Sequence, residues 1–164
     1  MKNFGKRNAR PKPLRSKSLQ RHSFIVGGPT DNMSAAHRSK TMSCIRSRDT
    51  TPELIIRRLA HRLGFRFRLC NRDLPGSPDL VFPRLNCVIF VHGCFWHAHS
   101  CNKGARRPLH NASQWRAKLE RNNIRDRHAL RKLRRLGWRV LVIWECQLKR
   151  PALVEQRLLV FLRT

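Results

Sequence analysis

The elements readable along the chain run α-β-β-β-α-β-α, which predicts an α/β fold with a mixed central sheet flanked by helices. Three observations carry this reading. Cys87-Val88-Ile89-Phe90-Val91 is a continuous apolar run, the pattern of a central strand covered on both faces. A long helical pattern from about Ser113 to Leu136 follows it and closes at Gly137. Trp138 to Trp144 is then strand-like again, so a helix links two strands.

In chain order, residues 1 to about 30 form a basic tail. Lys2, Lys6, Arg7, Arg10, Lys12, Arg15, Lys17 and Arg21 meet no acid before Asp31, and prolines 11, 13 and 29 with Gly27-Gly28 break any long pattern. Such a segment is expected to be disordered and drawn to phosphates without sequence preference. A basic leader poor in acids also has the composition of a transit peptide. Residues 31–164 make the folded domain. Met33 to Arg48 is polar with room for a short helix. Thr51-Pro52-Glu53 reads as a helix start, with a Thr cap, Pro at the first position and an acid in the first turn. Leu54, Ile55, Ile56, Leu59 and Leu63 supply its buried face, and Gly64 closes it. Phe65 to Leu69 alternates with period two, as a half-buried strand does. Asp73 to Pro78 is a turn, Asp79 to Phe82 a short strand, Lys103 to His110 a basic loop, and Pro151 onward a terminal helix.

Lys and Arg total 36 against 9 Asp and Glu, a formal charge of +27. A field of that size repels itself and calls for an anionic partner, nucleic acid above all. Ribosomal-type and membrane-surface proteins share this balance. No apolar run approaches the ~18 residues of a membrane span, and no signal-peptide core is present. The six cysteines therefore point to an intracellular metal site rather than to disulfides.

The densest chemistry is Cys94-Phe95-Trp96-His97-Ala98-His99-Ser100-Cys101, directly after the apolar strand and His92-Gly93. Cys94, His97, His99 and Cys101 have the spacing of ligands to one tetrahedral ion, and thiolate with imidazole is the set zinc prefers. Cys146, at the end of the strand expected beside this one, is a further candidate. If it contributes, one histidine is spare and becomes a plausible general base. Spacing alone leaves open whether that is His97 or His99. Asp79, at the start of its strand after Pro75-Gly76-Ser77-Pro78, could bind Mg²⁺, which takes hard oxygen ligands. Ordinary turns also carry such an acid, but here the next strand ends in His92.

The long helix holds an anomaly. With about 100° per residue and Trp115 at zero, Leu119 lies near +40°, Asn122 near −20°, Ala129 near −40° and Leu133 near 0°. Asp126 falls near +20° on the same scale, inside the apolar stripe. An acid facing the core needs a partner, either one of the many arginines or a histidine of the metal-rich stretch.

These residues carry a resemblance. "SKTMSCIRSRDTTPELIIRRLA", "LPGSPDLVF", "CVIFVHGCFWHAHSC" and "LGWRVLVIWEC" resemble, in unbroken order over about residues 33 to 148, the very-short-patch-repair (Vsr) DNA mismatch endonucleases. The resemblance implies a restriction-endonuclease-like fold and a Mg²⁺-dependent single-strand nick in double-stranded DNA beside a T·G mispair, as left by deamination of 5-methylcytosine. It implies that Asp79 binds the metal, with the Val91 backbone carbonyl as a second ligand and Glu53 acting through water. His97 would activate the attacking water with Asp126 as its partner, and His92 would lie near the scissile phosphate. A structural Zn²⁺ would take Cys94, His99, Cys101 and Cys146. Met42, Phe95 and Trp96 would wedge into the duplex. Val91 stands where more familiar members have Thr, a change that a carbonyl ligand tolerates. Ala98 and Ser100 stand where others have His, and neither is needed for this assignment. A monomer in the bacterial cytoplasm is expected. The competing readings are a restriction-type nuclease cutting unmismatched sites, a non-catalytic zinc module and an RNA-binding protein. Three acids placed at Glu53, Asp79 and Asp126 in so acid-poor a chain favour a nuclease.

Overall fold

The computed structural model describes residues 48–69, 73–109 and 111–164, and singly Ser34, His37, Lys40 and Ser43. The basic tail and Met42 lie outside the described residues. His37, Lys40 and Ser43 are helical and exposed, in the stretch where a short helix was expected.

Helix α1 spans Thr51–Arg62. It starts one residue earlier than the Thr-Pro-Glu pattern suggests, with Thr50 at the cap. The Thr50 hydroxyl does not cap the backbone; it donates to Glu53 Oε1 at 2.7 Å, so the acid in the first turn gathers the chain around itself. Strand β1 is only Arg68–Leu69, shorter than the alternating pattern from Phe65 predicts. Its partner β2, Leu80–Phe82, offers three residues. Beyond Phe82 the chain turns into a 3₁₀ segment at Pro83, which has no N–H to give a ladder. Phe65 and Phe67 therefore keep the alternation and pack on the core without pairing.

Strand β3 is Cys87–His92. The basic loop contains one helical turn, α2, at Asn102–Ala105, where none was expected. Helix α3 is Ala112–Arg135, β4 is Arg139–Trp144 and α4 is Pro151–Arg163. The sheet order is β1-β2-β3-β4. β1–β2 and β2–β3 are antiparallel, and β3–β4 is parallel, so the sheet is mixed with β3 inside it. Side chains of successive residues alternate between the faces. Leu80, Phe82, Cys87, Ile89, Leu141 and Ile143 pack on α1 and α4. Val81, Val88 and Phe90 pack on Leu133 of α3, with Val140 and Val142 beside them. Helices thus flank both faces. Among the described residues no helix is long and apolar enough to cross a membrane.

Two features of this frame place the site. In the parallel register His92 stands opposite Trp144, so β3 and β4 end level. The turn before β2 comes very close to α3: a Cβ on Gly76 would lie 2.7 Å from that of Ala129, and its φ of +77° suits glycine.

Candidate active site and cysteine cluster

β3 runs on past the start of β2, which leaves the backbone of Val91 without a strand partner on that side. The Asp79 side chain fills the place. Asp79 N donates to Ile89 O at 3.1 Å, and Asp79 Oδ2 accepts the Val91 N–H at 2.7 Å. In a strand the N–H and C=O of one residue point the same way, so the Val91 carbonyl faces the Asp79 edge too. Burial raises the Asp79 carboxyl to about 6 against the opposing pull of the Val91 N–H, and nearby Glu53 raises it further. A half-buried carboxyl beside a carbonyl and a second acid is a donor set of hard oxygens that fits a Mg²⁺-like ion.

Glu53 is buried. Its Oε2 accepts the Asp49 N–H at 3.0 Å and Arg57 Nη2 at 2.9 Å, and its Oε1 takes the Thr50 hydroxyl. Arg57 also pairs with Asp49. Glu53, Asp79, Val91, His92, His97 and Asp126 line one cavity of about 560 Å³.

Across that cavity His97 Nδ1 is hydrogen-bonded to Asp126 Oδ2, both side chains being 18% exposed. The position of Asp126 on the apolar stripe thus has its counterpart in an imidazole, although Arg125 also lies 3.8 Å from its other oxygen. Burial pushes the Asp126 carboxyl up, but the hydrogen bond and charge of His97 outweigh it and leave it below the ordinary carboxylate range. A carboxylate on Nδ1 holds the Nδ1–H tautomer and leaves Nε2 as the basic atom. His92 stacks on His97 with centroids 3.9 Å apart and planes within 6°. Burial, reinforced by His97, lowers His92 to about 4, so it is neutral at pH 7.

His99 takes the other direction. Ala98 between the two histidines has φ +48°, a left-handed kink that sends His97 into the cavity and His99 away from it. The Sγ atoms of Cys94, Cys101 and Cys146 and a ring nitrogen of His99 lie within 4.8 Å of one another, close enough for a single tetrahedral ion. Cys146 N donates to Cys94 Sγ at 3.3 Å, and Gly104 N donates to Cys101 Sγ at 3.4 Å. Burial pushes Cys94 up to about 12, whereas the His99 hydrogen bond pulls Cys101 down to about 6. A cation ligates the thiolate and would lower both thiols, so three thiols and an imidazole gathered this closely are a donor set a soft cation fits. A Cβ on Gly104 would strike His99 O at 2.2 Å, so α2 is wedged under the cluster.

The aromatic pair is half-buried rather than free. Phe95 and Trp96 meet edge-on at 5.1 Å. Trp115 of α3 lies 5.4 Å from Phe95 and 5.9 Å from Trp96. Lys118 Nζ sits 5.3 Å and 5.2 Å over the two indoles, and Asn122 Nδ2 donates to Trp96 O at 3.1 Å.

Several known proteins are similar to this chain over most of its length. The family model described as DNA mismatch endonuclease Vsr matches residues 30–103. The type II nicking enzyme V.XorIIP of Xanthomonas oryzae pv. oryzae is 45% identical over 129 residues, covering 79% of this chain and 94% of that one. V.NmeAIP of Neisseria meningitidis, also a type II nicking enzyme, is 40% identical over 129 residues, covering 79% and 91%. The DNA mismatch endonuclease Vsr of Escherichia coli is 43% identical over 124 residues, covering 75% and 79%.

The chain belongs to the Vsr family.

The segment matched by the Vsr model takes in Glu53, Asp79 and the stretch from His92 to Cys101, and stops before Asp126 and Cys146. The fold returns these two to the same place, one from α3 and one just after β4. All the site residues expected from the sequence therefore converge on one end of the sheet, except Met42, which lies outside the described residues. Sequence reasoning missed Trp115, Lys118, Asn122 and Trp144. The first three shared a helix face with Asp126, and that spacing was the signal. Trp144 stood two residues before Cys146 and gave none.

Proposed function

We propose that this protein nicks one strand of double-stranded DNA beside a T·G mispair, using Mg²⁺, and that a structural Zn²⁺ holds the nicking site in shape. The observation that carries the reading is the cavity in which Asp79 with the Val91 carbonyl faces a His97–Asp126 pair. One side offers hard oxygens to a cation and the other a basic nitrogen, as metal-assisted phosphodiester hydrolysis requires.

When bound, Mg²⁺ supplies charge stabilisation at the phosphate and an acidified water. The rest falls to the chain. The Val91 N–H fixes the Asp79 carboxylate. His97 Nε2 takes the proton of the attacking water, and Asp126 stabilises the resulting imidazolium and keeps the ring from turning. As the water oxygen bonds to phosphorus, the opposite P–O bond breaks and the departing sugar oxygen takes a proton from solvent, leaving one strand cut. His92, neutral and stacked on His97, supports the base without competing for its charge. Glu53 has three hydrogen bonds and one free lone pair on Oε1, enough to hold a metal-bound water but no more.

Cys94, His99, Cys101 and Cys146 form a closed set of four, which suits a structural zinc and leaves it no open position. The Phe95–Trp96–Trp115 cluster lies beside the cavity, where aromatic wedges would enter a base step. Unstacking costs a few kcal/mol and less at a mismatch, so such a wedge selects DNA that yields. A mispair lacks two-fold symmetry and one nick needs one active site, so a monomer suffices. The substrate places the protein with the chromosome in the bacterial cytoplasm. The mixed sheet and the site at one end of its strands fit a restriction-endonuclease-like fold.

The test is the ratio of nicking rates on T·G and T·A duplexes at fixed salt, with and without EDTA. A large ratio that vanishes in EDTA is expected. A ratio near one would replace this reading with a restriction-type nuclease, and activity in EDTA would remove the metal from it.

A further inference from the structure

Trp144 is bound to both centres. It ends β4 opposite His92, and cross-strand partners in register project to the same face of the sheet. Its indole stacks on His99 at 4.2 Å with planes 28° apart. It meets His92 edge-on at 5.3 Å and His97 at 6.4 Å. Its own backbone is pinned, because Trp144 N donates to Gln147 Oε1 at 3.1 Å and that oxygen also accepts Arg157 Nη1 of α4 at 2.9 Å. The rings His99, Trp144, His92 and His97 thus form a continuous row from the cysteine cluster to the Asp126 carboxylate.

Some rigid body has to fill this position. Among the described residues the His97 ring has one hydrogen-bonded partner, Asp126, which restrains only one ring nitrogen. Its flat face rests on His92, whose imidazole has no hydrogen bond among the described residues. The orientation of the pair therefore depends on what presses on His92, and that is Trp144 together with Phe90, which lies 5.7 Å away on the same face. We propose that Trp144 is a positioning residue, holding the stacked His92–His97 pair in register with the cysteine cluster so that His97 Nε2 points into the cavity. The inference rests on the reading of His97 as the base.

The experiment compares Trp144→Leu and Trp144→Phe in the full chain. A misplacement near 1 Å costs about 10²-fold in rate. Trp144→Leu should therefore lower kcat on T·G duplex by about 10–100-fold with KM unchanged. Zinc should stay at one per chain by elemental analysis. Trp144→Phe keeps a flat ring and should recover most of kcat. Histidine side-chain NMR gives a readout independent of turnover: the mutual ring-current shifts of the stacked His92 and His97, over and above those the indole itself induces, should be lost in Trp144→Leu and kept in Trp144→Phe. Unchanged kcat and unchanged histidine shifts in Trp144→Leu would overturn the proposal. So would a loss of kcat that follows loss of zinc in both variants, because the indole would then serve only the cluster. If the wild type nicks no duplex, the proposed function fails, and the histidine shifts still decide whether Trp144 orders the pair.

Discussion

His97 and His99 are two residues apart and belong to different chemistries. His97 sits in an open cavity with carboxylates, stacked on a neutral imidazole and paired with Asp126. His99 sits in a closed cluster with three thiols. Identical side chains are sent into separate surroundings by the backbone between them, where Ala98 adopts a left-handed conformation. On the function proposed above the cluster is a brace and the cavity a tool, and each should fail in its own way when cut.

The largest separation is expected from Asp79→Ala. Nicking should fall to background while duplex binding persists, since loss of an acid makes the face more positive. Gel-shift and nicking assays on one preparation check this, and residual nicking at more than a trace would break the assignment of Asp79 to the cation.

His97→Ala should slow nicking by about 10²–10⁴-fold, the usual worth of a general base, with zinc retained. Asp126→Asn should give a smaller loss in the same direction. If zinc disappears with His97, the division between the histidines is wrong.

The converse probe is Cys146→Ser. Zinc content should drop below one per chain, and stability should fall by about 4 kcal/mol, the scale on which loss of a structural metal acts. Denaturant unfolding with and without added zinc measures it. A variant that keeps its zinc and its midpoint would remove Cys146 from the brace.

The smallest effect sharpens the contrast. Asp79 loses its proton at about 6 in the folded chain and near 3.9 when unfolded. Folding therefore takes up a proton between those values, and stability falls as pH rises through the window. Above about pH 6 the full penalty remains, of order 2–3 kcal/mol. In chelator, Asp79→Asn should thus be more stable than the wild type at pH 7.5 and equal to it near pH 3.5. An equal Tm at both pH values would mean that the acid is not strained. The cavity would then be as settled as the cluster.

The strands, the long helix and its odd acid were legible because each rests on a local period. Asp126 was found by angle alone, and the structure supplied an imidazole opposite it. The division between His97 and His99 was not legible from spacing, because it depends on one φ angle at Ala98. β1 was read too long because its length is set by the short partner β2 and by Pro83, not by its own alternation. The hydrogen bonds that occupy Glu53 come from Asp49, Thr50 and Arg57 around a helix start, and the sequence showed only a favourable first-turn acid. Trp115, Lys118 and Asn122 lay on the helix face already drawn, but nothing in the sequence told that their neighbours would be Phe95 and Trp96.

The level ends of β3 and β4 also have a bearing on time. Cys94 and Cys146 are 52 residues apart, and His92 meets Trp144 only when the parallel pair has closed over the whole of α3. Parallel pairing of distant strands is slow to form. At about 5–20 residues per second of synthesis, the ribosome works for several seconds between the two cysteines. Throughout that interval a chain already carrying Asp79, His97 and a strongly basic surface has neither its brace nor its aligned base. On the function proposed above, the connection from β3 to β4 delays the site: a half-made chain can meet DNA before it is able to cut it.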